Sequence, residues 1–250
     1  MIEVQEFSKY YAETCAVNRI SFRVDAGEIL GLVGPNGAGK TTTLRAIAGI
    51  IPPTLGHITI AGHDVRANPL AAKRELAFVS DEPRLFDYLT VREHLRFFGR
   101  LYGTDDVEPK ATALIAEMEL GGKEDALPGA LSRGMKQKLA AACALLHAPK
   151  ALLLDEPLTG LDPVAIRRMK RTIRARADAG TAVIVSSHLL SLVEEISNRV
   201  LVLVQGHIAA IGRMDELKAS IGAKADLEEV FLRITGASEF PPTNPPQEKT

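Results

Sequence analysis

The segment Gly34-Pro35-Asn36-Gly37-Ala38-Gly39-Lys40-Thr41 fits the spacing GxxxxGK[ST]; the apolar run ILGLV precedes it and the helix former TTTLRAIAGI follows. Glycines let such a strand-to-helix loop turn its backbone N–H groups inward around phosphate oxygens, at a helix N-terminus whose dipole already favours an anion. In that arrangement the residues from Gly34 to Thr42 bind the nucleotide, with Lys40 reaching the β- and γ-phosphates and Thr41 ligating Mg2+. A second chemical pair closes the buried run KALLLDE. There Asp155 suits a Mg2+ contact through water, and Glu156, one position farther along, suits polarising an attacking water. Acids at strand ends are often only solvated or capping; the phosphate loop is what gives these two a chemistry. The third stretch is LSRGMKQ, followed by LAAACALL. It sets Ser132, a helix-capping residue, and Gly134 ahead of a helix with no negative charge nearby in the chain for its amide end to hold.

These residues must be held by elements that the hydrophobic pattern outlines. EILGLVG, RELAFVS, KALLLDE, TAVIVSS and RVLVLV are apolar throughout, which predicts strands buried on both faces of a parallel sheet, with ligands outside their carboxyl ends. Gln205-Gly206-His207 between VLVLV and IAAIG predicts a hairpin, and SFRVDAGEI with HITIAG adds strands for a small antiparallel layer. From about 85 to 148 the pattern turns helical, as expected of a helical subdomain inserted into an α/β core. LEEVFLRIT closes the ordered part. The tail from 237 to 250 carries four prolines and no apolar periodicity, which predicts disorder.

With 250 residues, 46% of them hydrophobic, and 30 basic against 31 acidic side chains, the composition is that of an ordinary globular protein with a sizeable core. It argues against a nucleic-acid footprint. The two cysteines, Cys15 and Cys143, lie far apart with no CxxC spacing, which fits a reducing cytoplasm and a core role for Cys143. MIEVQEFSKYY lacks the features of a signal peptide, and no run approaches the ~20 apolar residues that span a bilayer. Any membrane-spanning part is expected on another chain.

GPNGAGKTT, LSRGM, ALLLDEP, TGLDP and SSH, in this order, resemble the motifs of the nucleotide-binding subunit of ATP-binding cassette (ABC) transporters, and the likeness runs over residues 1 to 235. The resemblance implies an α/β P-loop NTPase (RecA-like) domain over residues 1–236, with a parallel-sheet core, a small antiparallel β layer and the inserted helical subdomain. It implies an ATPase that uses ATP and Mg2+. Two such domains, in a homo- or heterodimer, would pair head to tail, so that Ser132 and the Gly134 amide hold the γ-phosphate of ATP bound to the partner. It likens His188 to a switch histidine at the γ-phosphate, Asp162 to a residue of the loop crossing the dimer interface, and Tyr11, in SKYY ahead of the strand pair and with Tyr10 as the alternative, to the aromatic that stacks on adenine.

Two positions depart from that pattern. Asp81 stands where the family usually has a glutamine; it could still reach the metal through water, but it adds negative charge near the γ-phosphate. Arg133 replaces the first glycine of the signature, either bringing positive charge close to the partner's phosphates or pointing into solvent. Met135 replaces the usual signature glutamine. The resemblance further implies a separate transmembrane permease, contacted around Arg84 to Tyr88, with the subunit peripheral on the cytoplasmic face. LEEVFLRIT resembles the C-terminal end of the ATPase subunits of type 2 exporters, which favours export. A soluble ABC ATPase of translation or DNA repair is the competing reading, but such proteins usually carry two cassettes or a long coiled coil. An unrelated P-loop kinase or GTPase would leave LSRGM without a role.

Overall fold

The computed structural model describes residues 1–219 and 227–235; the tail expected to be disordered lies outside the described residues. The first half contains β1 (Ile2–Tyr11), β2 (Thr14–Val24), β3 (Ile29–Val33), α1 (Lys40–Ile47), β4 (Leu55–Ile60), β5 (His63–Asp64), α2 (Pro69–Arg74) and β6 (Leu76–Val79). Then come α3 (Val91–Tyr102), α4 (Val107–Glu117), α5 (Arg133–Leu145), β7 (Ala151–Asp155), α6 (Pro163–Asp178) and β8 (Ala182–Ser186). The chain continues through α7 (Leu190–Ile196), β9 (Arg199–Val204), β10 (His207–Arg213), α8 (Met214–Ala219) and α9 (Leu227–Thr235).

The five runs that are apolar throughout become β3, β6, β7, β8 and β9, and they lie parallel in a sheet of order β10-β9-β3-β8-β7-β6. Their lack of alternation has a direct cause, since both faces are covered. On β7, Leu152 and Leu154 join a core cluster with residues of α3 to α6, whereas Ala151 and Leu153 join the cluster shared with α1 and the small sheet. That sheet, of order β2-β1-β4-β5, is antiparallel. The β9–β10 hairpin turns at Gln205 (φ 48°) and Gly206 (φ 78°), the two positive values that a tight turn matching the strand twist requires.

Helices α3 and α6 start where side chains satisfy their first amides. Thr90 and Glu93 make a reciprocal capping box ahead of α3, and Asp162 followed by Pro163 opens α6. Helices α3, α4 and α5 do not build a separate core: Leu95, Leu114 and Leu139 belong to the same buried cluster as Leu152 and Val183 of the sheet. The segment LEEVFLRIT forms α9, whose buried Leu227 and Val230 pack with Val193 of α7 and Val200 and Val202 of β9.

Gly31, in the middle of β3, lies directly under Val193 of α7. A Cβ there would stand 2.1 Å from Cγ1 of Val193 and 2.8 Å from Oγ of Ser197. Gly31→Ala is therefore expected to destabilise the fold by about 1–3 kcal/mol through overpacking. Denaturant unfolding checks this: an unchanged midpoint would mean that α7 slides away without cost.

Candidate functional site

The carboxyl ends of β3, β6, β7 and β8 open on one region, and the loop from Gly34 to Gly39 runs from β3 into α1 there. Its glycines answer to close approach. A Cβ on Gly34 would stand 2.2 Å from the Leu203 carbonyl oxygen, and one on Gly39, at φ 103°, 2.7 Å from that of Ala16. Pro35, Asn36 and Gly37 form the exposed tip, while Ala38 is buried and its carbonyl accepts from the Gly206 N–H at 3.0 Å. Helix α1 starts without a side-chain cap and without an acid in its first turn, which leaves its amide end open to an anion. The Lys40 ammonium folds back over the loop and donates to the carbonyls of Gly34 at 2.6 Å and Pro35 at 3.1 Å. Burial pulls its pKa below the usual lysine value, and the charges of Glu156 and Asp155 pull the other way.

Thr41 and Asp155, 114 residues apart, meet directly: the Thr41 hydroxyl donates to Oδ2 of Asp155 at 3.0 Å. Asp155 ends β7 and is 5% exposed; burial pushes its carboxyl above the ordinary range, against the pull of the Thr41 hydrogen bond. Thr42, half-buried, follows in the same turn of α1. A hydroxyl and a carboxylate side by side at an open amide end are the hard oxygen ligands that Mg2+ takes from protein when phosphates complete its shell. The residues fit that ion.

Glu156 leaves the strand with φ 50°, a left-handed backbone that costs a non-glycine residue about 1–2 kcal/mol. The turn is held by its N–H, which donates to the Ser186 carbonyl at 2.9 Å. Its side chain ends on two partners from the end of β8. Oε2 accepts from the Ser187 hydroxyl at 3.2 Å and lies 2.8 Å from Nδ1 of His188. The sequence reading missed Ser187, because the residue that gives it a role, Glu156, lies 31 positions away in the chain.

Asp81, just past β6, lines a cavity of about 750 Å³ together with Thr41, Asp155, Arg45 and the stacked pair Tyr102–His147. Its carboxylate oxygen Oδ1 lies 3.4 Å from Nη2 of Arg133. Arg133 therefore turns back onto its own chain.

Ser132 caps α5, its hydroxyl accepting from the Met135 N–H at 3.2 Å, and that helix has no acid in its first turn. A Cβ on Gly134 would stand 2.8 Å from the Gly160 carbonyl oxygen. The partners of both residues thus lie in α5 and in the loop after Glu156, not in the phosphate loop. The Asp162 carboxylate accepts from the N–H groups of Val164 and Ala165, each at 2.9 Å, as the cap of α6.

Tyr10 and Tyr11 correct the sequence reading, which set them ahead of a strand pair. They end β1 itself, opposite Cys15 and Thr14 of β2. Bulges along β1, with Glu6 at φ 47°, break the alternation by which the strand would have been seen. Tyr11 is 46% exposed, with the Lys9 ammonium 5.2 Å from its ring centroid.

Comparison with known proteins agrees with this geometry. The family model described as ABC transporter matches residues 17–159. The linearmycin resistance ATP-binding protein LnrL of Bacillus subtilis (strain 168) is 33% identical over 241 residues, 96% of this chain and 76% of its own. The Nod factor export ATP-binding protein I of Rhizobium meliloti (strain 1021) is 38% identical over 214 residues, 85% of this chain and 64% of its own. A solved structure of an ATP-binding subunit of an ABC transporter superimposes with a TM-score of 0.90 at 32% identity, covering 94% of this chain and 99% of that one. With the phosphate loop, the strand-end carboxylates and the capped helix α5 in these positions, the chain belongs to the ABC transporter family, as one of its ATP-binding cassettes.

Proposed function

We propose that this chain binds Mg2+–ATP at the loop from Gly34 to Thr42 and hydrolyses it between two cassettes, driving a separate membrane-spanning subunit. The observation that carries the reading is the meeting of Lys40, Thr41 and Asp155 at the open amide end of α1. In this reading the Lys40 ammonium leaves the carbonyls of Gly34 and Pro35 for the β- and γ-phosphates, which a half-buried cation with only carbonyl partners favours. Thr41 and Asp155 would hold Mg2+, with Asp81 near by at the end of β6. The ion supplies neutralisation of phosphate charge.

Glu156 is the general base. It takes a proton from the water that attacks the γ-phosphorus as the bond to the ADP oxygen breaks, and ADP leaves with the bonding electrons. Ser187 and His188 fix its Oε2, and the left-handed turn at Glu156 aims the side chain away from the strand. Across the dimer, Ser132 and the Gly134 amide at the head of α5 hold the γ-phosphate of the neighbour's ATP, and Asp162 lies on the loop between the two sites. Tyr11 offers an exposed ring for adenine.

The groove behind Asp81, with Phe86 and Tyr88 exposed beyond it, suits contact with the permease. Among the described residues no helix is long and apolar enough to cross a membrane, which agrees with a cassette held at the cytoplasmic face by that partner. The relative named for Nod factor export and the exporter-like segment of α9 support outward transport.

Glu156→Gln is expected to keep ATP binding, to lower kcat by about 10²–10⁴-fold and to accumulate an ATP-bound dimer. Single-turnover hydrolysis and gel filtration with Mg2+–ATP check it, and rapid turnover by the variant would remove Glu156 from the role of base. Asp155 has the opposite signature. Its folded pKa is raised, so the ionised carboxylate weakens the fold above that pKa, and the penalty fades as pH falls to the unfolded value. Asp155→Asn is therefore expected to unfold at a higher denaturant midpoint near pH 7, with the gain shrinking toward acid pH, while losing Mg2+-dependent hydrolysis. A midpoint below the parent's would show that the buried charge is fully compensated.

A further inference from the structure

Arg133 brings together three segments that are far apart in the chain. It is the first residue of α5, next to the cap Ser132. Its guanidinium lies 3.4 Å from the Asp81 carboxylate, just past β6. Its stem runs over Gly160, in the loop that follows Glu156: Cγ and Cδ lie 3.3 and 3.1 Å from where a Gly160 Cβ would stand. Any side chain at Gly160 would crowd the arginine off this path, and Gly134, one residue on, already sits against the Gly160 carbonyl. The helix start and the loop are therefore packed backbone to backbone, with Arg133 laid across the seam toward Asp81.

The two ends of this arrangement face different chemistry. Asp81 lines the same cavity as Thr41 and Asp155, the pair that fits Mg2+ in this chain's own site. Ser132 and Gly134 form the amide end that the proposed function assigns to the neighbour's nucleotide, and the present inference rests on that reading. The side chains of Arg133 and Asp81 are 59% and 45% exposed, so their attraction is screened and modest. What raises its effect is the stem held on Gly160, which reduces the rotamer freedom that an exposed arginine otherwise gives up on pairing.

We propose that Arg133 is a positioning residue that ties the amide end of α5 to the carboxylate end of β6, so that the surface offered to the neighbouring nucleotide is held in register with the chain's own site. Its guanidinium faces Asp81 of the same chain. Its loss therefore acts on assembly of the ATP-bound dimer and on KM for ATP, and leaves the rate of the chemical step in place.

A double-mutant cycle tests this in the full-length chain carrying Glu156→Gln, with the dimer dissociation constant in Mg2+–ATP read by analytical ultracentrifugation. Arg133→Gln and Asp81→Asn are each expected to weaken dimerisation by about two- to fivefold, the range of an exposed but oriented pair. The double variant should be no weaker than the weaker single one, and Arg133→Lys should recover part of the loss. With Glu156 intact, Arg133→Gln should raise KM by a similar factor at unchanged kcat. Effects that multiply in the double variant, or an Arg133→Gln protein that loses kcat instead, would overturn the coupling. Failure of the Glu156→Gln protein itself to dimerise in ATP would overturn the two-cassette reading and take the coupling with it.

Discussion

Asp155 is a carboxylate with 5% of its surface exposed, and burying such a charge costs several kcal/mol unless hydrogen bonds and an opposite charge compensate for it. In this chain the compensation comes from the Thr41 hydroxyl and, at longer range, from the Lys40 ammonium, itself desolvated and leaning on two carbonyls. The arrangement is therefore short of its best electrostatic state. In the proposed function, phosphate oxygens beside Lys40 and the α1 amides, with a divalent cation beside Asp155 and Thr41, would supply both partners.

Everything else positions that pair. Four parallel strands deliver their carboxyl ends to one place, so residues as distant in sequence as Gly34, Asp81, Asp155 and His188 become neighbours without any one loop having to be long. The left-handed turn at Glu156 adds a local cost, tolerated because the neighbouring strand β8 holds both its N–H and its carboxylate. Strain maintained by surrounding structure is characteristic of sites where a side chain must be aimed and kept aimed. The α3–α5 region is not an independent appendage, since its buried residues share one cluster with the sheet.

Residues identified from the sequence separate according to what determines them. The phosphate loop, Asp155 and Glu156 were legible because local chemistry specifies them, with glycine where backbone approaches backbone and acids at the ends of runs too apolar to be anything but buried strands, whereas His188 came only with the family likeness. Strand β1 and its tyrosines were misplaced because bulges break the period of two on which strand recognition depends. Ser187 was overlooked because a serine beside a histidine has no signature until the turn at Glu156 aims a carboxylate at it.

The departures at Asp81 and Arg133 show the boundary most clearly. Each could be seen in the sequence as an unexpected charge, and each invited a separate explanation. Only the packing of the α5 start against Gly160 brings them together as opposite charges 52 residues apart, because an ion pair depends on distance in space and no local pattern encodes it. The sequence alone thus determined the fold class, the phosphate chemistry and the identities of the acids, since hydrophobic period and backbone sterics act over a few residues. The tertiary structure decided which charges meet, which carboxylate is buried, which one sits on a left-handed turn, and how the two ends of the cassette are tied together, since those depend on contacts between elements that the chain order keeps apart.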